Sequence, residues 1–167
     1  PASRPTNNWW MMQDMGGGIL GANGSHQIDL LRFWLGDIDA LSGHITTMVP
    51  DRKDKNTGEP WTATADDQVS FTATMKNGAL ASVFLSSAAR HGTGNSVQIF
   101  GSEGSIRLSN DDEKLWVARV GEDYQDVSET DPNAGLEGIG KGIWNVSFVA
   151  VMRELTDAIR EQRPVTQ

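Results

Sequence analysis

A chain of 167 residues with 38% apolar side chains is long enough to bury one sizeable core. Its net charge of −8 excludes the basic surface that nucleic acid and anionic membranes require, and the absence of cysteine excludes a disulfide framework and thiolate chemistry. No apolar run is long enough to span a bilayer, and Pro1-Ala2-Ser3-Arg4-Pro5 is neither an initiator Met nor a signal peptide, so the expectation is a piece of a longer, cytoplasmic protein.

The first chemistry-bearing stretch runs from Trp9 to Asp37. Gly16-Gly17-Gly18-Ile19-Leu20-Gly21 satisfies the G-x-G-x-x-G pattern of dinucleotide sites. That pattern needs a buried strand before it and a helix opening at it. Asn7 to Met15 contains no β-branched residue, and the next helical pattern opens later, near His26. Asp37 and Asp39 follow a helix end rather than a second strand. Close backbone approach is the better use of these glycines. Trp9 and Trp10, just upstream, either wall a pocket by stacking on a sugar or a nicotinamide, or pack in the core.

Ile28, Leu31 and Leu35 recur at helical spacing, with Leu30 and Trp34 beside them. Asn23, Gly24 and Ser25 are candidate N-caps, and Gly36 can end the helix in the left-handed conformation. His26, Asp29 and Phe33 share the side opposite the apolar arc. This places His26 in the first turn, where the helix dipole disfavours imidazolium and favours a neutral imidazole that can accept a substrate proton. Asp29, one turn on, could orient the ring. The plain alternative is a solvated surface His and a solvated Asp.

The pattern then changes to strand-like. Ala40 to Val49 is strand-compatible, and Asp51 to Glu59 reads as an exposed charged loop. Asp66-Asp67 reads as a solvated turn. Val69, Phe71, Ala73 and Met75 alternate with Ser70, Thr72 and Thr74, which predicts a half-buried strand. Asn77-Gly78 turns the chain into a returning strand at Leu80 to Ser86. Arg90 and His91 fall in a Gly-rich loop, where binding groups often sit. Val97 to Phe100 and Ser105 to Leu108 flank Gly101-Ser102-Glu103-Gly104 as a second hairpin, and Leu115 to Val120 adds a strand. Phe148, Met152, Leu155 and Ile159 return to helical spacing. Helix, grouped strands, helix implies an α+β fold: an open, mainly antiparallel sheet with helices packed on one face. The other face, rich in Ser and Thr, suits a partner subunit. His26, His44 and His91 lack ligand spacing, so no metal site is expected.

Gly16-Gly17-Gly18, Gly24-Ser25-His26, Ile28-Asp29 and Leu35-Gly36 together resemble the Gfo/Idh/MocA family (glucose–fructose oxidoreductase and inositol dehydrogenase relatives). Val97 to Ile106 is similar to that family's strand–Gly-(Ser/Thr)-x-Gly–strand hairpin. The resemblance implies that residues 1–167 form one substrate-binding and oligomerisation domain, the C-terminal domain of a two-domain enzyme. A Rossmann domain absent from this chain would bind NAD or NADP. Hydride would pass between the nicotinamide and a carbinol carbon of a small-molecule sugar or polyol. His26 matches the family's catalytic histidine. Trp9, Trp10, Asn23, Asp29, Arg90 and His91 become candidate pocket residues, and the open sheet face a homo-oligomer interface. The resemblance also implies a first strand before Pro1 and a further helix after Gln167. One departure stands out: many members carry Asp four residues before the His, where this chain has Ala22. Either Asn23 or Asp29 compensates, or the reaction differs, or the domain only binds and assembles.

Overall fold

The computed structural model describes residues 8–92, 94–109, 113–134, 136–138 and 142–165. The terminal stretch Pro1–Pro5, and Thr93 of the Gly-rich loop, lie outside them. The chain divides into two compact units, Pro1–Gly92 and Thr93–Gln167.

The first unit opens with two short 3₁₀ turns, Trp9–Met11 and Gln13–Met15, followed by a π-helical turn, Leu20–Gly24, that runs without a break into α1, Ser25–Leu35. Three antiparallel strands follow as one sheet: β1 (Ile38–Thr46), β4 (Gln68–Met75) in the middle and β5 (Leu80–Ser86). Register places Leu41, Gly43 and Ile45 of β1 opposite Ala73, Phe71 and Val69 of β4, which in turn face Ala81, Val83 and Leu85 of β5. This is the core face. Val69, Phe71, Ala73 and Met75 are buried on it, and the π turn sits over it with Gly24 against Leu85. Successive strand residues point to opposite faces, so Ser42, His44, Ser70, Thr72, Leu80, Ser82 and Phe84 share the other, open face. Phe84 and Leu80 are exposed there.

The stretch read as a loop from Asp51 to Glu59 is partly a ribbon. β2 (Asp51–Lys53) pairs with β3 (Pro60–Thr62), and Asp54 closes the turn between them by accepting from the amides of Asn56 and Thr57. Its charged residues look outward except Arg52, whose guanidinium turns in to a buried Asp67 at 2.8 Å.

The second unit carries a four-stranded antiparallel sheet in chain order: β6 (Ser96–Phe100), β7 (Gly104–Ser109), β8 (Lys114–Arg119) and the short β9 (Gln125–Asp126). β6 and β7 form the hairpin expected around Gly101 to Gly104. Arg107 lies over the rings of Trp116 and Tyr124, 4.3 and 5.3 Å from their centroids. α2, Ile143–Glu161, starts five residues before the Phe148 periodicity and ends at Gln162 in the left-handed conformation. Arg163 then folds back to bind Glu154 through two nitrogens, at 2.6 and 3.0 Å. Helices beside open antiparallel sheets make the α+β class expected from the order of elements. Among the described residues no helix is long and apolar enough to cross a membrane.

Candidate functional site

The glycine run is a packing device. The amide of Gly17 donates to Met12 and that of Gly18 to Trp10. A Cβ on Gly17 would overlap the backbone of Trp9 and Trp10, and one on Gly18, which sits at φ +125°, would overlap the Asp66 carboxylate. Only glycine allows this approach. Gly17 and Gly18 spend their amides on carbonyls of the chain itself, so neither N–H is left to cradle a phosphate.

What caps the helix differs from the sequence expectation. None of Asn23, Gly24 or Ser25 makes a side-chain cap; Ser25 Oγ instead donates back to the Gly21 carbonyl at 2.7 Å. The helical path begins at Ile19, and its first two amides go to one residue far along the chain. Ile19 N–H donates to the Asp66 carbonyl at 3.0 Å, and Leu20 N–H donates to Asp66 Oδ2 at 2.8 Å. His26 therefore stands about two turns inside, not in the first turn. The helix dipole acts mainly over the terminal turn, which here is the π turn ahead of His26.

Asp66-Asp67 is likewise no solvated turn. Asp67 is buried, and its carboxylate accepts from the amides of Met48 and Val49 (2.7 and 3.1 Å) and from Arg52 (2.8 Å). Thr64 and Ala65 donate their amides to Met11, and Gln13 donates to Thr64 Oγ1. The segment 64–67 is thus pinned to β1 and β2 on one side and to the glycine turn on the other.

The candidate residues fall in three places. His26 and Asp29 are exposed on α1, one turn apart, with Asn23 exposed in the π turn before them. Such turns recur at functional sites because the wider backbone re-aims side chains. Ala22 presents only a methyl in that turn. Trp9 and Trp10 lie against each other with ring centroids 5.2 Å apart and planes tilted by 49°; their backbones hold the glycine turn, and Trp9 remains 54% exposed. Arg90 and His91 are exposed in the loop after β5, with His91 at φ +57°. The glycine turn joins the first two places directly. A concavity on the three-stranded sheet is lined by Ser42, Thr72 and Ser82, among others. Sequence reasoning missed Asp66; its carboxylate acts on a partner 46 residues away, which no local pattern encodes. No group of His, Asp or Glu that could hold a metal ion occurs among the described residues.

At its far end α1 is tied down as firmly. Asn77 Nδ2 donates to the Leu35 carbonyl at 2.9 Å, and Arg32 and Lys76 both bind Asp37 (3.0 and 3.2 Å). These two cations, Arg32 above all, hold the Asp37 carboxyl below the usual carboxylate range.

An exposed histidine on a helix entered through a packed glycine turn, beside a three-stranded antiparallel sheet, makes the first unit an α+β structure. The model of the GFO/IDH/MocA C-terminal domain matches residues 1–107. The chain belongs to that family. It is 32% identical over 113 residues to an uncharacterized oxidoreductase of Synechocystis sp., covering 66% of this chain and 30% of the relative. Among solved structures, levoglucosan dehydrogenase in complex with NADH and L-sorbose superposes with a TM-score of 0.80 at 24% identity, covering 99% of this chain and 48% of that one. An oxidoreductase domain protein from Kribbella flavida gives 0.75 at 26% identity, with the same coverage. The chain thus spans under half the length of the relatives it matches.

Proposed function

We propose that residues 1–167 are the substrate-binding and assembly domain of a cytoplasmic NAD(P)-dependent oxidoreductase acting on a sugar or polyol-like alcohol. The observation that carries this reading is His26, exposed on α1 in the Gly24-Ser25-His26 run that resembles the family's Gly-x-His. Gly17 and Gly18 pack on Trp9, Trp10 and Asp66 and give their amides to carbonyls of the chain, which supports assigning the dinucleotide mainly to a second, Rossmann domain of the full-length protein. The nicotinamide, when bound, would supply the hydride acceptor or donor for the substrate's carbinol carbon.

His26 supplies the proton chemistry. In the oxidising direction its imidazole takes the hydroxyl proton as the carbonyl forms; in the reducing direction it gives that proton back to the oxygen. Such transfer contributes about 10²–10⁴-fold to rate. Asp29 and Asn23 flank the histidine and offer an acceptor and an amide to substrate hydroxyls. Trp9 offers an exposed ring to the CH face of a sugar. Arg90 and His91 complete the pocket rim from their loop. The open face of β1, β4 and β5, with its Ser and Thr rows and exposed Leu80 and Phe84, is the surface for a second copy.

Ala22 favours a second reading, a domain that binds ligand or assembles subunits without turning over substrate. There, no carboxylate sits four residues before His26. The two separate on NAD(P)H absorbance of the full-length protein against sugars, inositols and polyols. Turnover with any of them supports the enzyme and makes Ala22 a tolerated variation. Silence across the panel, with cofactor bound, supports the second reading.

A further inference from the structure

Two aspartates stand side by side between β3 and β4 with opposite tasks. Asp67 points into the body of the first unit, where Arg52 and the amides of Met48 and Val49 fix it. Its own amide donates to the Thr46 carbonyl, and its carbonyl accepts from Ser87. Asp66 points the other way, into the start of the helical path.

We infer that Asp66 is a positioning residue for His26: its carbonyl and carboxylate take the first two amides of the helix that carries the histidine, and so set where the imidazole stands. This rests on the oxidoreductase reading above. A π turn is the weak part of such a helix, because its wide i→i+5 bonding is rarely sustained. Here it lies between the start of the path and His26, with Ser25 N–H reaching the Leu20 carbonyl. Left uncapped, Ile19 and Leu20 would lose their amide partners and the turn could slide or fray. Gly18 packs on the same carboxylate and bars its movement toward the glycine turn. The clamp is rigid because Thr64, Ala65 and Asp67 are each held by separate bonds.

The test uses the full-length protein with NAD⁺ and the best alcohol found in the panel. In Asp66→Ala, kcat falls about ten- to a hundredfold, the usual consequence of an ångström-scale misplacement, while KM for NAD⁺ is unchanged. Asp66→Asn keeps an equivalent acceptor and stays within about threefold of the parent. A role in stability alone would lower the thermal midpoint of Asp66→Ala and leave kcat per folded molecule intact; that result overturns the inference, as does Asp66→Asn failing as badly as Asp66→Ala. His26→Gln, measured alongside, keeps the two levels apart. Full turnover in His26→Gln overturns both the catalytic reading and this one; impaired turnover there with normal Asp66→Ala overturns this one only. Should Asp66→Ala not fold, or no alcohol turn over, amide exchange of the unmodified protein decides. Protection of Ile19 and Leu20 equal to that in mid-α1 supports the cap, and loop-like exchange there overturns it.

Discussion

Asp67 and Arg52 show how a residue's chemistry is set by what folds around it. Asp67 has essentially no exposed side chain and Arg52 only 9%, and the two meet as a buried pair at 2.8 Å. Such a pair adds little over a well-packed apolar one, but breaking it strands a buried charge at about 3–5 kcal/mol. Arg52→Ala is therefore expected to lose about that much stability in urea unfolding, and more than the exposed pairs of Asp37 would lose. A loss below 1 kcal/mol would mean that water reaches Asp67. Gly18→Ala should be severe too, since its Cβ collides with Asp66 and its φ is +125°. Two of the three glycines were legible in sequence as close-approach residues, because no strand pattern precedes them and no helical pattern opens at them; Gly16 instead ends a 3₁₀ turn in the left-handed conformation. The two aspartates were not legible. Adjacent acids in a Thr/Ala-rich segment read as solvated until the fold supplies Arg52, Met48 and Leu20 as partners.

At the scale of elements, α1 is held at both ends by residues outside it. Asp66 takes its first amides, and Asn77 of the β4–β5 turn takes the Leu35 carbonyl. Asp37 binds Arg32 of the helix and Lys76 of the sheet, linking the two. Because its carboxyl is held below the ordinary 3.8 in the folded state, the ionised pair's contribution is present above that pH and is lost as pH falls below it. The thermal midpoint of Asp37→Asn should accordingly trail the parent at pH 6, with the gap closing below pH 3.8. A gap of constant size across that range would assign the effect to packing instead. The β4 alternation and the Asn77-Gly78 turn were plain in sequence, since a half-buried strand and a tight turn each leave a local pattern. β2 was hidden because all three of its residues, Asp51, Arg52 and Lys53, are charged, and β3 because Pro60, Trp61 and Thr62 are too few to show an alternation. The π turn was hidden because no residue pattern distinguishes it from a loop with glycines.

For the molecule as a whole, the open face of the first unit is the feature that predicts behaviour. Its Ser and Thr rows were read in advance from the alternation of β4, and the structure leaves Leu80 and Phe84 exposed among them. If two copies meet there, Phe84→Glu buries a charge in each half of the interface. Sedimentation of the full-length variant should then show a smaller species than the parent at equal concentration. An unchanged assembly would move the interface elsewhere.

The central claim is that His26 moves the substrate proton in an NAD(P)-dependent hydride transfer. The most direct test is the turnover of His26→Ala in the full-length protein, followed by NAD(P)H absorbance with its best alcohol substrate. A fall of about 10²–10⁴ in kcat, with the protein folded and cofactor binding retained, is the predicted result. Turnover equal to the parent's would contradict the role given to His26.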